Sequence, residues 1–293
     1  MRILVTGASG MLGSTLAIEL SKKYKVFGTG NSDISIPIDY RVFDLSNESY
    51  KELIDWSQPE LIIHCAAITN GNYCQENSLK AIDVNGVSVH KLLNATNNNT
   101  KIIYISTDAV FPSSLHMARE VDFVLPENIY GKSKELGEFF LKTSEDRPYT
   151  IIRTTIVGLN INKNKSGFVE WIINTTKENK ELGLFSDVFF TPISIWSLVD
   201  EINFLIYTDN INSEILHIGG ELCTKFDFGD KLLKMLNIST KKLSKSLISS
   251  FKDRAKRSND QSLDSNYYYN KYDRKLVNLD QTILKIKEYY EYN

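Results

Sequence analysis

Three glycines stand between the first predicted strand and the first predicted helix. Gly7, Gly10 and Gly13 follow a β-branched run at residues 3–6 and open a segment in which leucines recur at helical spacing. Glycine allows a tight turn and a close approach of the backbone to a ligand, and the amide groups at a helix start attract anions. The spacing is GxxGxxG, and its position predicts a turn that binds the pyrophosphate of a dinucleotide.

The first half of the chain alternates short β-branched runs with longer segments of helical period. This alternation predicts an α/β fold, a Rossmann-type doubly wound parallel sheet covered by helices. Between the third and fourth runs, Leu79, Ile82, Gly86, Val89 and Leu93 recur at steps of three and four, which predicts one buried helical face. The runs occupy residues 3–6, 26–29, 61–65, 102–106 and 151–154.

The regular alternation ends after Thr154, where we expect a smaller, mainly α C-terminal substrate lobe. The predicted dinucleotide-binding domain covers residues 1–157 with a return segment at 193–220, and the second lobe covers 158–192 and 221–293. Residues 215–218 are typical of a strand and residues 226–236 of a helix. A polar bend at residues 160–166 suits an exposed loop, and Tyr267–Tyr269 are expected to cover the core of the second lobe.

Charge and composition exclude several classes of protein. The net charge of −2 gives no overall field for a polyanion, so we expect no nucleic-acid partner, and the basic run at residues 241–257 is assigned no function. No stretch approaches the length of a membrane span. The three cysteines are too scattered for a disulfide framework, which favours a reducing cytoplasm, and the four histidines are too dispersed to predict a metal site.

The end of the second predicted strand bears on the choice of cofactor. An acidic residue there would accept hydrogen bonds from the ribose of NAD, whereas residues 28–32 are Gly-Thr-Gly-Asn-Ser. NADPH is therefore the preferred prediction, with NADH as the alternative if the strand extends to Asp33. Since ligands of open α/β sheets bind at the carboxyl ends of strands, we expect further cofactor contacts from the residues at these ends and in the glycine turn: Met11, Leu12, Asn31, Asp44, Leu45, Ala66, Ala67 and Thr69.

A tyrosine and a lysine four residues apart carry the predicted chemistry. Tyr130 and Lys134 share one face if their segment is helical, and a neighbouring positive charge is expected to lower the pKa of the phenol. Such a pair protonates the oxygen of a carbonyl that is being reduced by hydride. Thr107, in the sequence Ser-Thr-Asp at the end of the fifth strand, can donate a hydrogen bond to the same oxygen. We therefore predict that these three residues are catalytic, with Tyr130 and Lys134 also contacting the cofactor.

These motifs together resemble a known family, the extended short-chain dehydrogenases that act on nucleotide sugars, and within it the dTDP-4-dehydrorhamnose reductases. The resemblance implies reduction of a 4-keto-6-deoxy nucleotide sugar for surface-polysaccharide synthesis, with Thr107, Tyr130 and Lys134 as the catalytic residues. The segments that carry it are VTGASGMLG at 5–13, HCAAIT at 64–69, CQE at 74–76, VN at 84–85, STDAVF at 106–111 and NIYGKSKELGE at 128–138.

Departures from the family pattern gather where the sugar is expected to bind. Ala109 replaces a tyrosine, Ile156 stands where a tryptophan is expected, and Gly167 and Val188 replace an asparagine and a glutamine. The sugar pocket is therefore predicted to differ from that of the named reductases, which leaves the sugar and the nucleotide open. Thr107, Phe168 and Arg257 are the predicted substrate contacts, Arg257 because its guanidinium suits phosphate oxygens.

Other functions known in this family remain as alternatives. The related 4,6-dehydratases carry the sequence Thr-Asp-Glu at this strand end, where this chain has Thr-Asp-Ala. Reduction is therefore favoured over dehydration. A nucleotide-sugar epimerase ranks lower. A non-catalytic regulatory subunit, similar to that of methionine adenosyltransferase, is disfavoured by the intact Tyr130 and Lys134. The resemblance also suggests a homodimer, in which Glu120 is a weak candidate for a magnesium contact between subunits, although no metal is predicted.

Overall fold

The computed structural model describes residues 1–46, 49–144, 147–250 and 258–292. Arg257, a predicted substrate contact, therefore lies outside the described residues. The strands are β1 (Arg2–Thr6), β2 (Lys25–Gly30), β3 (Asp39–Val42), β4 (Leu61–His64), β5 (Lys101–Thr107), β6 (Tyr149–Val157), β7 (Leu182–Phe185), β8 (Phe189–Phe190), β9 (Pro192–Ser194), β10 (Glu214–His217), β11 (Cys223–Thr224), β12 (Leu243–Ser246) and β13 (Asp260–Gln261).

The main sheet has the order β3-β2-β1-β4-β5-β6-β10, and all of these pairings are parallel. Thr6 at the end of β1 pairs with His64 at the end of β4, and Thr107 at the end of β5 pairs with Thr154 in β6. The carboxyl ends of these strands therefore meet along one edge, where ligands of such sheets bind. This topology confirms the predicted Rossmann-type fold.

Helices cover both faces of the sheet. They are α1 (Met11–Ser21), α2 (Tyr50–Ser57), α3 (Gly71–Glu76), α4 (Ser78–Ile82), α5 (Ser88–Ala95), α6 (Ile129–Lys142), α7 (Phe168–Lys177), α8 (Ile195–Tyr207), α9 (Lys225–Met235), α10 (Asn266–Lys271) and α11 (Leu279–Tyr292). Side chains of β1 alternate between the two layers: Ile3 and Val5 join one hydrophobic core and Leu4 joins the other. This period of two is what a sheet buried on both faces requires.

A π-helical turn at Asp83–Val87 joins α4 to α5 and changes the predicted helical face. Val89 and Leu93 are buried, as predicted, but Leu79 is 83% exposed. The wider π turn adds to the residues per turn, so the face before it rotates away from the face after it. The prediction of one continuous buried stripe is therefore wrong at its first position.

Beyond β6, helices α7, α9, α10 and α11 are accompanied by small sheets, in which β11 and β13 flank β8, and β12 pairs with β7. The predicted strand and helix near residues 215 and 226 are observed as β10 and α9. Tyr268 and Tyr269 are buried as expected, whereas Tyr267 is exposed. The division into two lobes at 157, 193 and 220 stays a prediction. Across the described part of the chain, no helix is long and apolar enough to cross a membrane.

Candidate active site

The glycine turn leaves no room for side chains. Gly7 has a φ of +72°, and a Cβ added to it would lie 2.7 Å from the Cα of Ala66. A Cβ on Gly13 would lie 2.3 Å from the carbonyl oxygen of Gly7. Helix α1 begins directly after Gly10, which provides no side-chain cap. The first amide groups of α1 therefore face an open groove, the arrangement that binds phosphate in dinucleotide-binding proteins.

A buried histidine fixes the strand end beside this turn. Nδ1 of His64 lies 2.7 Å from Oγ1 of Thr6, and its Nε2 lies 3.1 Å from Oγ of Ser88. Because the Ser88 hydroxyl donates to the carbonyl of Val84, Nε2 of His64 carries the proton and Nδ1 accepts from Thr6. Burial lowers the pKa of His64 to about 3, so the ring is neutral. It acts as a structural bridge under the groove.

One cavity of about 260 Å³, here the β2-side cavity, lies beside the ends of β2 and β3. It contains most of the cofactor residues predicted from strand ends, and two lysines, Lys80 and Lys165, that the sequence did not single out. Nζ of Lys80 lies 3.4 Å from Oδ2 of Asp44. The lining of the β2-side cavity includes Gly7, Gly10, Asn31, Asp44, Leu45, Ala66, Ala67, Lys80 and Lys165.

A second cavity of about 570 Å³, here the central cavity, continues from the glycine turn across β5 and β6. The structure brings the three predicted catalytic residues together in its wall. Its lining includes Gly7, Gly10, Met11, Leu12, Gly13, Ala67, Thr69, Thr107, Asp108, Tyr130, Lys134, Thr154, Ile156 and Lys165.

Tyr130 lies in the first turn of α6, whose start is capped by Asn128 accepting a 2.8 Å hydrogen bond from the Gly131 amide. The Thr107 hydroxyl, which lines the same cavity wall as Tyr130, donates to Oδ1 of Asp108 at 2.8 Å. Burial raises the pKa of Tyr130 by more than the neighbouring Thr107 lowers it. Burial also raises the pKa of Asp108. The phenol is therefore protonated at neutral pH.

Lys134 lies one turn after Tyr130 and is 1% exposed. Its Nζ is 4.0 Å from the centre of the Tyr104 ring, a cation–π contact. Burial lowers the pKa of Lys134 to about 7, and the nearby Cys65 and Glu138 act in the opposite direction. The sequence predicts that the Lys134 charge lowers the pKa of Tyr130, and this prediction is wrong, because the pKa of Tyr130 is raised. Burial dominates at both residues, because each loses water that would stabilise its charged form.

A third cavity of about 640 Å³, here the outer cavity, lies between α6 and the second part of the chain. Phe168, a predicted substrate contact, lines this cavity, and Trp171 stacks on Phe168 with ring centres 6.1 Å apart. Nζ of Lys225 lies 3.4 Å from the centre of the Phe190 ring. The lining is Thr69, Gly71, Asp108, Ala109, Asn128, Tyr130, Phe168, Trp171, Gly183, Leu184, Phe185, Lys225 and Gln261.

Sequence reasoning missed Lys165, Trp171 and Lys225. Lys165 belongs to the polar loop after β6, and its position after a strand's carboxyl end was the available signal. Trp171 follows Phe168 by three helical positions and so shares its face. Lys225 opens α9 directly after its cap, Thr224, and no motif marks it.

The residues present fit a nicotinamide dinucleotide. The β2-side and central cavities meet at the glycine turn, where an added Cβ would clash with backbone atoms. At the far end of the central cavity, Oγ1 of Thr154 is buried, and no described residue forms a hydrogen bond with it. A buried hydroxyl costs free energy without a partner, which a polar group such as a carboxamide would supply.

Comparison with known proteins agrees with this geometry. The family model described as the RmlD substrate binding domain matches residues 1–290. A dTDP-4-dehydrorhamnose reductase from Aggregatibacter actinomycetemcomitans is 30% identical over 237 residues, covering 78% of this chain and 76% of that protein. The spore coat polysaccharide biosynthesis protein SpsK of Bacillus subtilis is 28% identical over 249 residues, covering 83% of this chain and 82% of that protein.

A solved structure of dTDP-4-dehydrorhamnose reductase from Bacillus anthracis, in complex with NADP, has a TM-score of 0.86 to this chain. The two are 26% identical, and the match covers 99% of both chains. The resemblance predicted from the sequence motifs is thereby confirmed. The chain belongs to the RmlD family, the dTDP-4-dehydrorhamnose reductase-like group of the extended short-chain dehydrogenases.

Proposed function

We propose that this protein reduces the 4-keto group of a 6-deoxy nucleotide sugar, with NADPH as the preferred cofactor. The observation that carries the proposal is the position of Tyr130, which lines both the central cavity and the outer cavity. A dinucleotide in the first and a sugar in the second would meet at its hydroxyl group. The names and reductase activity of the similar proteins support this substrate class.

The residues divide the work of reduction between them. When bound, the reduced nicotinamide ring supplies the hydride. Tyr130 donates its proton to the oxygen that develops from the carbonyl, and its raised pKa keeps that proton available at neutral pH. Lys134 lies one turn away, where its amine is placed to hold the ribose next to the ring and to balance charge on the phenolate.

Thr107 orients the same oxygen. Without substrate its hydroxyl donates to Asp108, so it must exchange this partner before it can donate to the sugar. The Asp108 carboxyl also accepts from the Thr155 hydroxyl, so it keeps one donor when Thr107 turns to the substrate. Asp108 thereby positions Thr107 as a donor to the substrate.

Features of the β2-side cavity support NADPH over NADH. Strand β2 ends at Gly30, and Asp33 is absent from the described lining. Asn31 and Lys80 line the cavity instead, which favours a phosphate over a bare ribose. Asp44 also lines it, with Ser46 hydrogen bonds that lower its pKa.

The lining of the outer cavity supports a sugar pocket that differs from that of the named reductases. Ala109 at its wall leaves no carboxylate where a dehydratase needs one, which favours simple reduction. We infer that Phe168, Trp171 and Lys225, which line this cavity, contact the substrate, and Arg257 stays a prediction. A homodimer and a cytoplasmic location also stay predictions.

A cofactor-oxidation assay tests the function. The purified protein is incubated with dTDP-, GDP-, CDP- and UDP-4-keto-6-deoxy sugars, and the loss of NADPH or NADH absorbance is followed. We expect turnover with at least one sugar and faster turnover with NADPH. No oxidation of either cofactor across the panel, in a sample that binds the cofactor, would contradict the proposal.

A further inference from the structure

The loop between β6 and α7, residues 158–167, is held at both ends by one carboxylate. Oε1 of Glu170 accepts from the amide N of Asn160 at 2.5 Å and from its Nδ2 at 2.9 Å. Oε2 of the same residue accepts from the Gly167 amide at 2.9 Å. The side chains between these anchors are therefore presented from a closed loop, and most of them are exposed.

Lys165 is the side chain of this loop that crosses the groove. Its Nζ donates to Oγ of Ser9, in the glycine turn, at 3.3 Å. Nearly all of the loop's other contacts are local, whereas this one spans 156 positions of sequence. Partial burial lowers the pKa of Lys165, as expected for an ammonium taken out of water without a full countercharge.

The position of Lys165 selects one part of a dinucleotide. Among described residues, the β2-side and central cavities share Gly7, Gly10, Cys65, Ala67 and Lys165. The shared stretch is the middle of the groove, where the start of α1 also points its amide groups. A dinucleotide that spans both cavities has its pyrophosphate there, whereas a 2′-phosphate would lie farther along, near Asn31.

We propose that Lys165 binds the pyrophosphate of the cofactor and couples cofactor binding to the shape of the outer cavity. The coupling follows from the chain path, since Lys165 is followed after two residues by α7, whose Phe168 and Trp171 line the outer cavity. A shift of Lys165 toward the pyrophosphate moves the loop, and the hydrogen bonds of Glu170 to both ends of the loop pass this movement to the start of α7. The inference rests on the proposed dinucleotide cofactor.

The affinity for dinucleotides tests the proposed contact between Lys165 and the pyrophosphate, and it needs no sugar substrate. Isothermal titration with NADP⁺ and with NAD⁺ is compared for the wild type, Lys165→Met, and Lys163→Met, an exposed lysine of the same loop. We expect Lys165→Met to lower the affinity for both NADP⁺ and NAD⁺ by roughly tenfold to a hundredfold, as for the loss of a charged hydrogen bond. The affinities of Lys163→Met should equal those of the wild type. A loss confined to NADP⁺ would overturn the assignment to the pyrophosphate.

Quenching of Trp171 fluorescence by acrylamide tests the coupling, with Trp171→Phe to identify its signal. We expect saturating NADP⁺ to change the quenching of Trp171 in the wild type and in Lys163→Met, but not in saturated Lys165→Met. The same change in Lys165→Met would overturn the coupling. If Lys165→Met binds dinucleotides with wild-type affinity, the proposed pyrophosphate contact is overturned and the reductase proposal stays intact. If the wild type binds neither dinucleotide, both proposals are overturned.

Discussion

Nη2 of Arg153 lies 2.6 Å from Oε2 of Glu138, and both side chains are buried behind the strand ends that carry the site. Nε of Arg153 also donates to Oε1 of Glu138 at 2.9 Å, and Ser106 donates to the same oxygen at 2.6 Å. Since Glu138 follows Lys134 by one helical turn, this pair ties α6 to β5 and β6. The carboxylate also helps to keep Lys134 charged.

We predict that Glu138→Gln destabilises the fold by about 3 kcal/mol, because it leaves the buried Arg153 charge uncompensated. Glu288→Gln is the matched control, since Glu288 forms an exposed pair with Lys285 and its loss should cost less than about 1 kcal/mol. Urea unfolding of the three proteins measures the difference. Equal midpoints and slopes for Glu138→Gln and Glu288→Gln would show that the buried pair contributes little.

Tyr130→Phe should leave NADPH binding within about twofold of wild type and reduce turnover by about two orders of magnitude or more, as expected for the loss of a positioned acid. Tyr267→Phe removes the hydroxyl of an exposed tyrosine and serves as the control. Steady-state kinetics with the accepted sugar, together with cofactor titration, separates the two effects. Near-normal turnover in Tyr130→Phe would remove the proposed mechanism.

Much of the fold could be predicted because the central strands β1, β4, β5 and β6 each contain a short apolar run and the connecting helices have a clear period. The same holds for the glycine turn and for Tyr130 and Lys134, whose spacing is local. The π turn at Asp83–Val87 was not predictable from that period, because it depends on how α4 and α6 pack. It changed the exposure of Leu79 and left the fold unchanged.

Features that depend on contacts between residues far apart in the sequence could not be predicted from the sequence. Lys165 and Ser9 meet across 156 positions, and no periodicity connects a polar loop with a glycine turn. The order of the pKa effects at Tyr130 and Lys134 was also not predictable. The motif places the two side chains one turn apart, but the three-dimensional packing decides how much water each retains.

Lys225→Met should raise the KM for the nucleotide sugar by about tenfold, because the ammonium is placed in the outer cavity to donate to substrate oxygens. The affinity for NADPH should not change, since Lys225 does not belong to the described lining of either cofactor cavity. Lys234→Met, an exposed position of the same helix, is the control. An unchanged KM in Lys225→Met would exclude this lysine from substrate binding.

The depressed pKa of Lys134 predicts a pH dependence of stability. Its pKa is about 7 in the folded protein and near the ordinary value of 10.5 in the unfolded chain, so between these values the unfolded state binds more protons. Stability contributed by Lys134 therefore rises with pH, by up to ~1.4 kcal/mol per pH unit above about 7.

The window for this measurement runs from about pH 7 to pH 8.5. Buried His64 and His217 have folded pKa values of about 3, so the last protons that they lose from the unfolded chain, near pH 7, also raise stability at the start of the window. Toward the upper end of the window, the raised pKa values of buried Cys65 and Cys223 act in the opposite direction. We expect the free energy of unfolding in urea to rise more steeply with pH for the wild type than for Lys134→Met, and the difference between the two slopes is the contribution of Lys134. An identical slope in the variant would show that Lys134 keeps its proton in the folded protein.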